Sequence, residues 1–149
     1  MAADFSKYLN APIEDFSAPA TPGVGHYFAT IKKAELREVN YGQRTGVVTT
    51  LTFTLTGADS DVEDPLPPEE LRRAVARRDY AMDGDYPQQH VVRAIAEKTL
   101  QLPTEGQTFG EVLEAMTGHE VKLYCEHRPD KNDPERVYLE VKKVLPAAE

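Results

Sequence analysis

Cysteine is nearly absent: Cys125 is the only one in 149 residues. A single thiol can neither close an internal disulfide nor build a cysteine-based zinc site, and its place between Tyr124 and Glu126 suits an inward strand position in a reduced compartment. Long apolar runs are missing, and the opening MAADFSKYLN has neither a basic start nor an apolar stretch of signal-peptide length. No membrane partner is expected, and the chain reads as cytoplasmic. The four histidines, His26, His90, His119 and His127, show no metal-ligand spacing. Asp59, Asp61, Glu63 and Glu70 fall at calcium-loop positions, but Asp64 stands where that loop needs glycine and Pro65, Pro67 and Pro68 intervene, so no metal is expected. Neither a nucleophile with a paired base nor a phosphate-cradling glycine loop is present, which argues against an enzyme and against a cofactor. There is no internal repeat. Excess positive charge is lacking too: 17 Lys and Arg face 25 Asp and Glu, for a net charge of −8. That excludes a uniformly basic surface for coating duplex DNA and leaves room for a local basic groove.

What the chain does have is strand pattern. In residues 47–56 (VVTTLTFTLT), Val47, Thr49, Leu51, Phe53 and Leu55 point one way and Val48, Thr50, Thr52, Thr54 and Thr56 the other. One face is apolar and the other a carpet of threonines. A strand this long suits a small closed barrel, and the length suits one domain. Before it, Tyr27, Ala29 and Ile31 alternate, then the apolar positions shift to Ala34 and Leu36. A shift of face near Lys32 and Lys33 predicts a β-bulge. Asn40, Tyr41, Gly42 and Gly46 mark a hairpin with Gln43, Arg44 and Thr45 at its tip.

Residues 57–68 are acidic and proline-rich, an excursion from the sheet. A helical turn near EELRRAVARR and a third strand near RRDYAMD, with Tyr80 and Met82 on one side, are expected next. A helix then opens near Asp85 and Pro87, striped by Val91, Val92, Ile95, Ala96, Thr99 and Leu100 and ending near Leu102 and Pro103. Thr108 and Glu111 form a capping box for a second helix, with Phe109, Val112, Leu113 and Met116 buried and Gly118 after its end. Two closing strands follow: Val121, Leu123 and Cys125 inside with Lys122, Tyr124 and Glu126 outside, then Val137, Leu139 and Val141 inside with Tyr138, Glu140 and Lys142 outside.

This order predicts a mainly β fold with added helices (α+β), a five-stranded OB-type barrel with helices between strands 3 and 4. The segmentation is a flexible N-terminal arm over 1–22, the barrel over 23–146 with an insert over 57–85, and a short tail over 147–149. GHYFATIKKAELRE, LTFTL, TFGEVLEAMTGHEVKLYCEH and the final VYLEVKKVLP resemble a phage-encoded family of OB-type single-stranded-DNA-binding proteins, often carried beside recombination and replication genes. The resemblance covers residues 23–146. It implies sequence-independent binding of single-stranded DNA in phage replication or recombination, with replication or recombination proteins as further partners. The chain departs from the family pattern in its insert, and after Pro146 it has no distinct acidic tail for recruiting such proteins.

Single-stranded DNA is held by bases stacking on rings while cations track the phosphates. Tyr124 and Tyr138 are the candidate rings, facing outward on strands that pair, with Lys122 and Lys142 on the same face. If the tyrosines lie opposite each other they form one platform; the alternative is a cross-strand pair that only stabilises the exterior. Lys32, Lys33, Arg37, Tyr41 and Arg44 belong to the first hairpin, and Arg128, Lys131 and Arg136 surround the last loop; such loops flank the ligand groove in OB proteins. Arg72, Arg73, Arg77 and Arg78 form a denser cluster beside Glu69 and Glu70. The other function class is an OB-type adaptor whose arm and acidic insert bind a protein. The arm carries Phe5, Tyr8, Leu9, Ile13 and Phe16 among three prolines, which also suggests self-association as a homo-oligomer.

Overall fold

The computed structural model describes residues 5–15, 21–130, 132 and 137–147. Five antiparallel strands carry the fold: β1 (Gly25–Tyr41), β2 (Arg44–Ala58), β3 (Ala76–Ala81), β4 (Glu120–Pro129) and β5 (Val137–Pro146), in sheet order β3-β2-β1-β4-β5. Short helices join them: α1 (Ser6–Leu9) in the arm, α2 (Pro68–Leu71) before β3, then α3 (Gln89–Ala94) and α4 (Phe109–Met116) between β3 and β4. The molecule is mainly β, as the alternation predicts.

The long strands bend where the sequence changes face. Ile31 pairs with Phe53 and Lys33 with Thr52, so Lys32 is the extra residue of a bulge. There the Ile31 backbone turns to the end of α4, donating to the His119 carbonyl at 2.9 Å and accepting from the Gly118 amide at 2.7 Å. The expected three-residue tip is instead a two-residue turn, because Tyr41 already pairs with Arg44 and Gly42, at φ +70°, takes the turn with Gln43.

Tyr27, Ile31, Leu51, Phe53 and Leu55 meet Val121, Leu123, Cys125 and Val141 in the core. Burial pushes the Cys125 thiol and the Tyr27 hydroxyl each up to about 12. Val92, Ile95, Ala96, Leu113 and Met116 close the core from the helices. The Thr108–Glu111 capping box is present. The helix before it is shorter than its stripe suggests: α3 gives way at Ile95 to a wider π turn (Ile95–Thr99), whose closing bond runs from the Leu100 amide to the Ile95 carbonyl at 2.9 Å. Leu36 and Val47, expected inside, are 50% and 38% exposed, because the far end of the β1–β2 hairpin runs past the core; on the opposite face Val48 and Thr50 are buried instead.

The expected closed barrel is not formed. No ladder joins β3 to β5, so the sheet has two edges. The short β3 approaches β5 through a side chain: the Arg78 guanidinium, 5.5 Å from the Tyr80 ring centroid, donates to the Val141 carbonyl at 3.0 Å. Beside that contact β5 has its own bulge at Lys142, since Cys125 pairs with Val141 but Tyr124 with Lys143. The acidic excursion returns to the body: Val62 is buried, packed against Gly25, whose φ of +145° and 2.7 Å from an added Cβ to Val62 leave room only for glycine.

Candidate nucleic-acid interface

Alternation along β1 and β4 sends Tyr27, Ala29, Leu123 and Cys125 inward, and therefore His26, Phe28, Lys122 and Tyr124 outward. Register places His26 beside Tyr124 and Phe28 beside Lys122. The His26 and Tyr124 rings lie 4.9 Å apart, tilted by 46°, and the Lys122 ammonium sits 5.6 Å from the Phe28 ring centroid, a cation–π contact. Lys143 stands opposite Tyr124 on β5. Rings and cations thus share one outer patch.

The acidic loop after β2 is fastened over this patch. Asp59 pairs with Lys122 at 2.6 Å, and Asp61 accepts from the His26 backbone amide at 3.0 Å and meets its Nδ1 at 2.7 Å. The hydrogen bond from Lys122 holds the Asp59 carboxyl below the usual carboxylate range, and the bonds from His26 do the same for Asp61. The Asp59 amide donates to the His26 carbonyl at 2.9 Å, so the loop starts as a continuation of the strand pairing.

Tyr124 and Tyr138 do not form the expected platform. Tyr138 lies opposite Arg128, four positions along β4 from Tyr124, and its hydroxyl donates to Asp130 at 2.8 Å. This register is already fixed at Pro129 opposite Val137 and runs unbroken to Cys125 opposite Val141; the bulge beyond it takes Lys142 out of the alternating row, where it pairs with Glu140 at 3.5 Å, and Lys143 holds the position expected for it. Between the two ring positions Glu126 faces Glu140, a like-charge pair that repels phosphate.

The hairpin cations sit elsewhere, and Lys33 and Arg37 are matched. Lys33 pairs with Glu35 at 3.1 Å. Arg37 donates through Nε to the Thr50 hydroxyl at 2.9 Å and pairs with Asp79 at 3.3 Å, while Thr50 donates to Asp79 at 2.7 Å. Lys32 is exposed at the bulge, Arg128 is exposed at the end of β4, and Arg44 lies beside Gly84. The four-arginine cluster is split: Arg72 and Arg73 are exposed after α2, Arg77 pairs with Thr52 on the outer face, and Arg78 pairs with Leu51 on the core side. The side chain of Tyr41 and all of Lys131 and Arg136 lie outside the described residues.

Sequence reasoning passed over His26 and Phe28, although the alternation that put Tyr27 inside already put them outside. It also missed Asp59 and Asp61 as partners of the patch, for which no local pattern is a signal. Among the described residues, no group of three His, Cys, Asp or Glu is gathered that could hold a metal ion. The chain matches no protein-family model and no curated protein, so the chemistry assigned to this face rests on its own geometry.

Proposed function

We propose that the chain binds single-stranded DNA along the outer face of β4, without reading base sequence, in phage replication or recombination as its sequence resemblance implies. The observation that carries this is the ring patch of Phe28, His26 and Tyr124 with Lys122 and Lys143 at its margin. Bases stack on Tyr124 and Phe28, while Lys122, Lys143 and, farther along β4, Arg128 neutralise phosphates. Tyr138 offers a second stacking ring beside the β4–β5 loop. The strand order, the helices between β3 and β4, and the β3 and β5 edges brought together at Arg78 support an OB-type fold of the partly open kind. Its role is presentation or protection of the strand, not catalysis.

The test is fluorescence anisotropy of a labelled oligo(dT) at low and moderate salt, with duplex of equal length as competitor. Saturable binding that weakens with salt and resists duplex is expected. Absence of binding at low salt overturns the proposal and favours the adaptor class, for which the exposed Phe5, Tyr8, Leu9 and Ile13 of the arm are the supporting observation.

A further inference from the structure

The far half of β1 is an open sheet edge. On the side away from β2, β4 covers β1 only from Gly25 to Thr30, and the backbone of Ile31 is taken by Gly118 and His119 after α4. Beyond the Lys32 bulge, residues 33–41 (KAELREVNY) pair with β2 alone among the described residues. One row of their backbone donors and acceptors is left without a strand partner, and neither proline nor glycine interrupts it. The other two edges are blunted: β3 is 6 residues long and reaches β5 through Arg78, while β5 carries the bulge at Lys142.

Apolar surface flanks this edge on one face and charge on the other. On the inner face Leu36 is 50% exposed, Val47 lies diagonal to it on β2, and Ala34 is only partly buried. On the outer face Lys33, Glu35 and Arg37 alternate in sign. Arg37 bonds Thr50 through Nε and Asp79 through Nη2, and its Nη1 has no partner among the described residues.

Such an edge accepts an extended strand, and its own sequence fits it. In an antiparallel pair related by a two-fold axis, the residue on the axis faces its own copy, so the possible registers are few. Centring on Lys33, Glu35, Arg37 or Glu38 sets like charges face to face. Centring on Ala34 runs into Ile31, whose backbone is already bonded, and centring on Val39 or beyond leaves Leu36 uncovered. Centring on Leu36 sets Leu36 against Leu36, Glu35 against Arg37 twice, Ala34 against Glu38 and Lys33 against Val39. Leucine then meets leucine on the inner face, and opposite charges meet on the outer one.

We propose that two copies of this chain join antiparallel along residues 33–39 of β1, with the two-fold axis beside Leu36, into one continuous sheet. The contact uses the same surface on both copies, so it closes at a dimer. It needs no nucleic acid and uses none of the ring patch on β4.

Sedimentation of the full chain without nucleic acid should give a mass that rises with concentration to twice that of the monomer and stops there. Glu35→Arg, which faces Arg37 of the second copy with a like charge, should be monomeric, and so should Arg37→Glu. An equimolar mixture of the two should recover the dimer, because opposite charges then meet at both positions. Leu36→Cys, at a half-exposed site, keeps the test valid if a charge variant unfolds. Directly opposite side chains lie about 4.5–5.5 Å apart at Cβ, so mild oxidation should link two chains of Leu36→Cys. Glu38→Cys, which faces Ala34, should not cross-link, and the native Cys125 is buried. A monomer at every concentration, a dimer that Glu35→Arg leaves intact, growth past the dimer, or equal cross-linking at both cysteine positions would each overturn the proposal.

Discussion

The outer face over β1, β2 and β3 and the outer face over β1, β4 and β5 belong to one sheet, yet they present different chemistry. On the OB-type reading proposed above, the first corresponds to the face that such folds commonly offer to oligonucleotides. Here it carries the β2 threonines and Val48, with Lys33 and Arg37 matched laterally to Glu35 and Asp79, Arg77 exposed opposite Thr52, and no aromatic ring among the side chains that β2 and β3 send outward. The second has the Phe28, His26 and Tyr124 rings, and its Lys122 is matched to a loop rather than to the sheet. A cation neutralised within the sheet plane offers little to a phosphate, whereas one held by a loop is released when the loop moves. Rings, not a count of basic residues, distinguish the two faces.

Changing one ring separates them most sharply. Tyr124→Ala should weaken oligo(dT) binding by about 1–3 kcal/mol, roughly 5- to 150-fold, with thermal stability little changed. Thr52→Ala on the other face should leave affinity within about twofold, since a threonine offers no stacking surface. Anisotropy titrations of both variants decide the matter, and the reverse ranking would move the site to β1–β2–β3.

A smaller contrast runs through β2 itself, where neighbouring threonines point to opposite faces. Thr49 is buried against Tyr80 and its hydroxyl has no hydrogen-bond partner, while the Thr50 hydroxyl is held between Arg37 and Asp79. Valine has nearly the same shape without the polar group. Thr49→Val should therefore stabilise the fold, by up to about 1 kcal/mol, and Thr50→Val should destabilise it by about 1 kcal/mol, the partial exposure of Arg37 and Asp79 keeping the loss small. Urea midpoints with unchanged slopes would confirm both signs; equal effects would mean that both hydroxyls are equivalently solvated.

Much of the fold was legible because alternation is local. The inward set of β4, the bulge at Lys32 and the capping box at Thr108 each follow from residues a few positions apart. The tyrosine platform was not legible, because register is fixed by where the connection between β4 and β5 closes, with Pro129 opposite Val137, and alternation within a strand does not specify that position. The bulge at Lys142, in a run that reads as uninterrupted strand, only moves Lys143 into the place expected of Lys142. The side-chain link between β3 and β5 uses Arg78, which composition groups with Arg77 and alternation separates from it. The fastening of Asp59 and Asp61 joins residues more than thirty positions from their partners Lys122 and His26, and only the folded sheet brings them together.

That fastening gives the smallest expected effect and the finest distinction between the two faces. Both aspartates have pKa values lowered by their partners, so their contribution is present above the ordinary aspartate value of about 3.9 and is lost as pH falls through the lower folded values. The loop should therefore come away only in acid below that value, read as a shift of the Val62 amide signal. At neutral pH, Asp59→Asn removes a negative charge beside Lys122 and should strengthen oligo(dT) binding slightly, with a shallower gain as salt rises. Asp79→Asn removes a charge from the other face at similar exposure and should leave affinity unchanged. If instead Asp79→Asn strengthens binding and Asp59→Asn does not, phosphates pass over the threonine face, and the rings of β1 and β4 serve only to seat the loop.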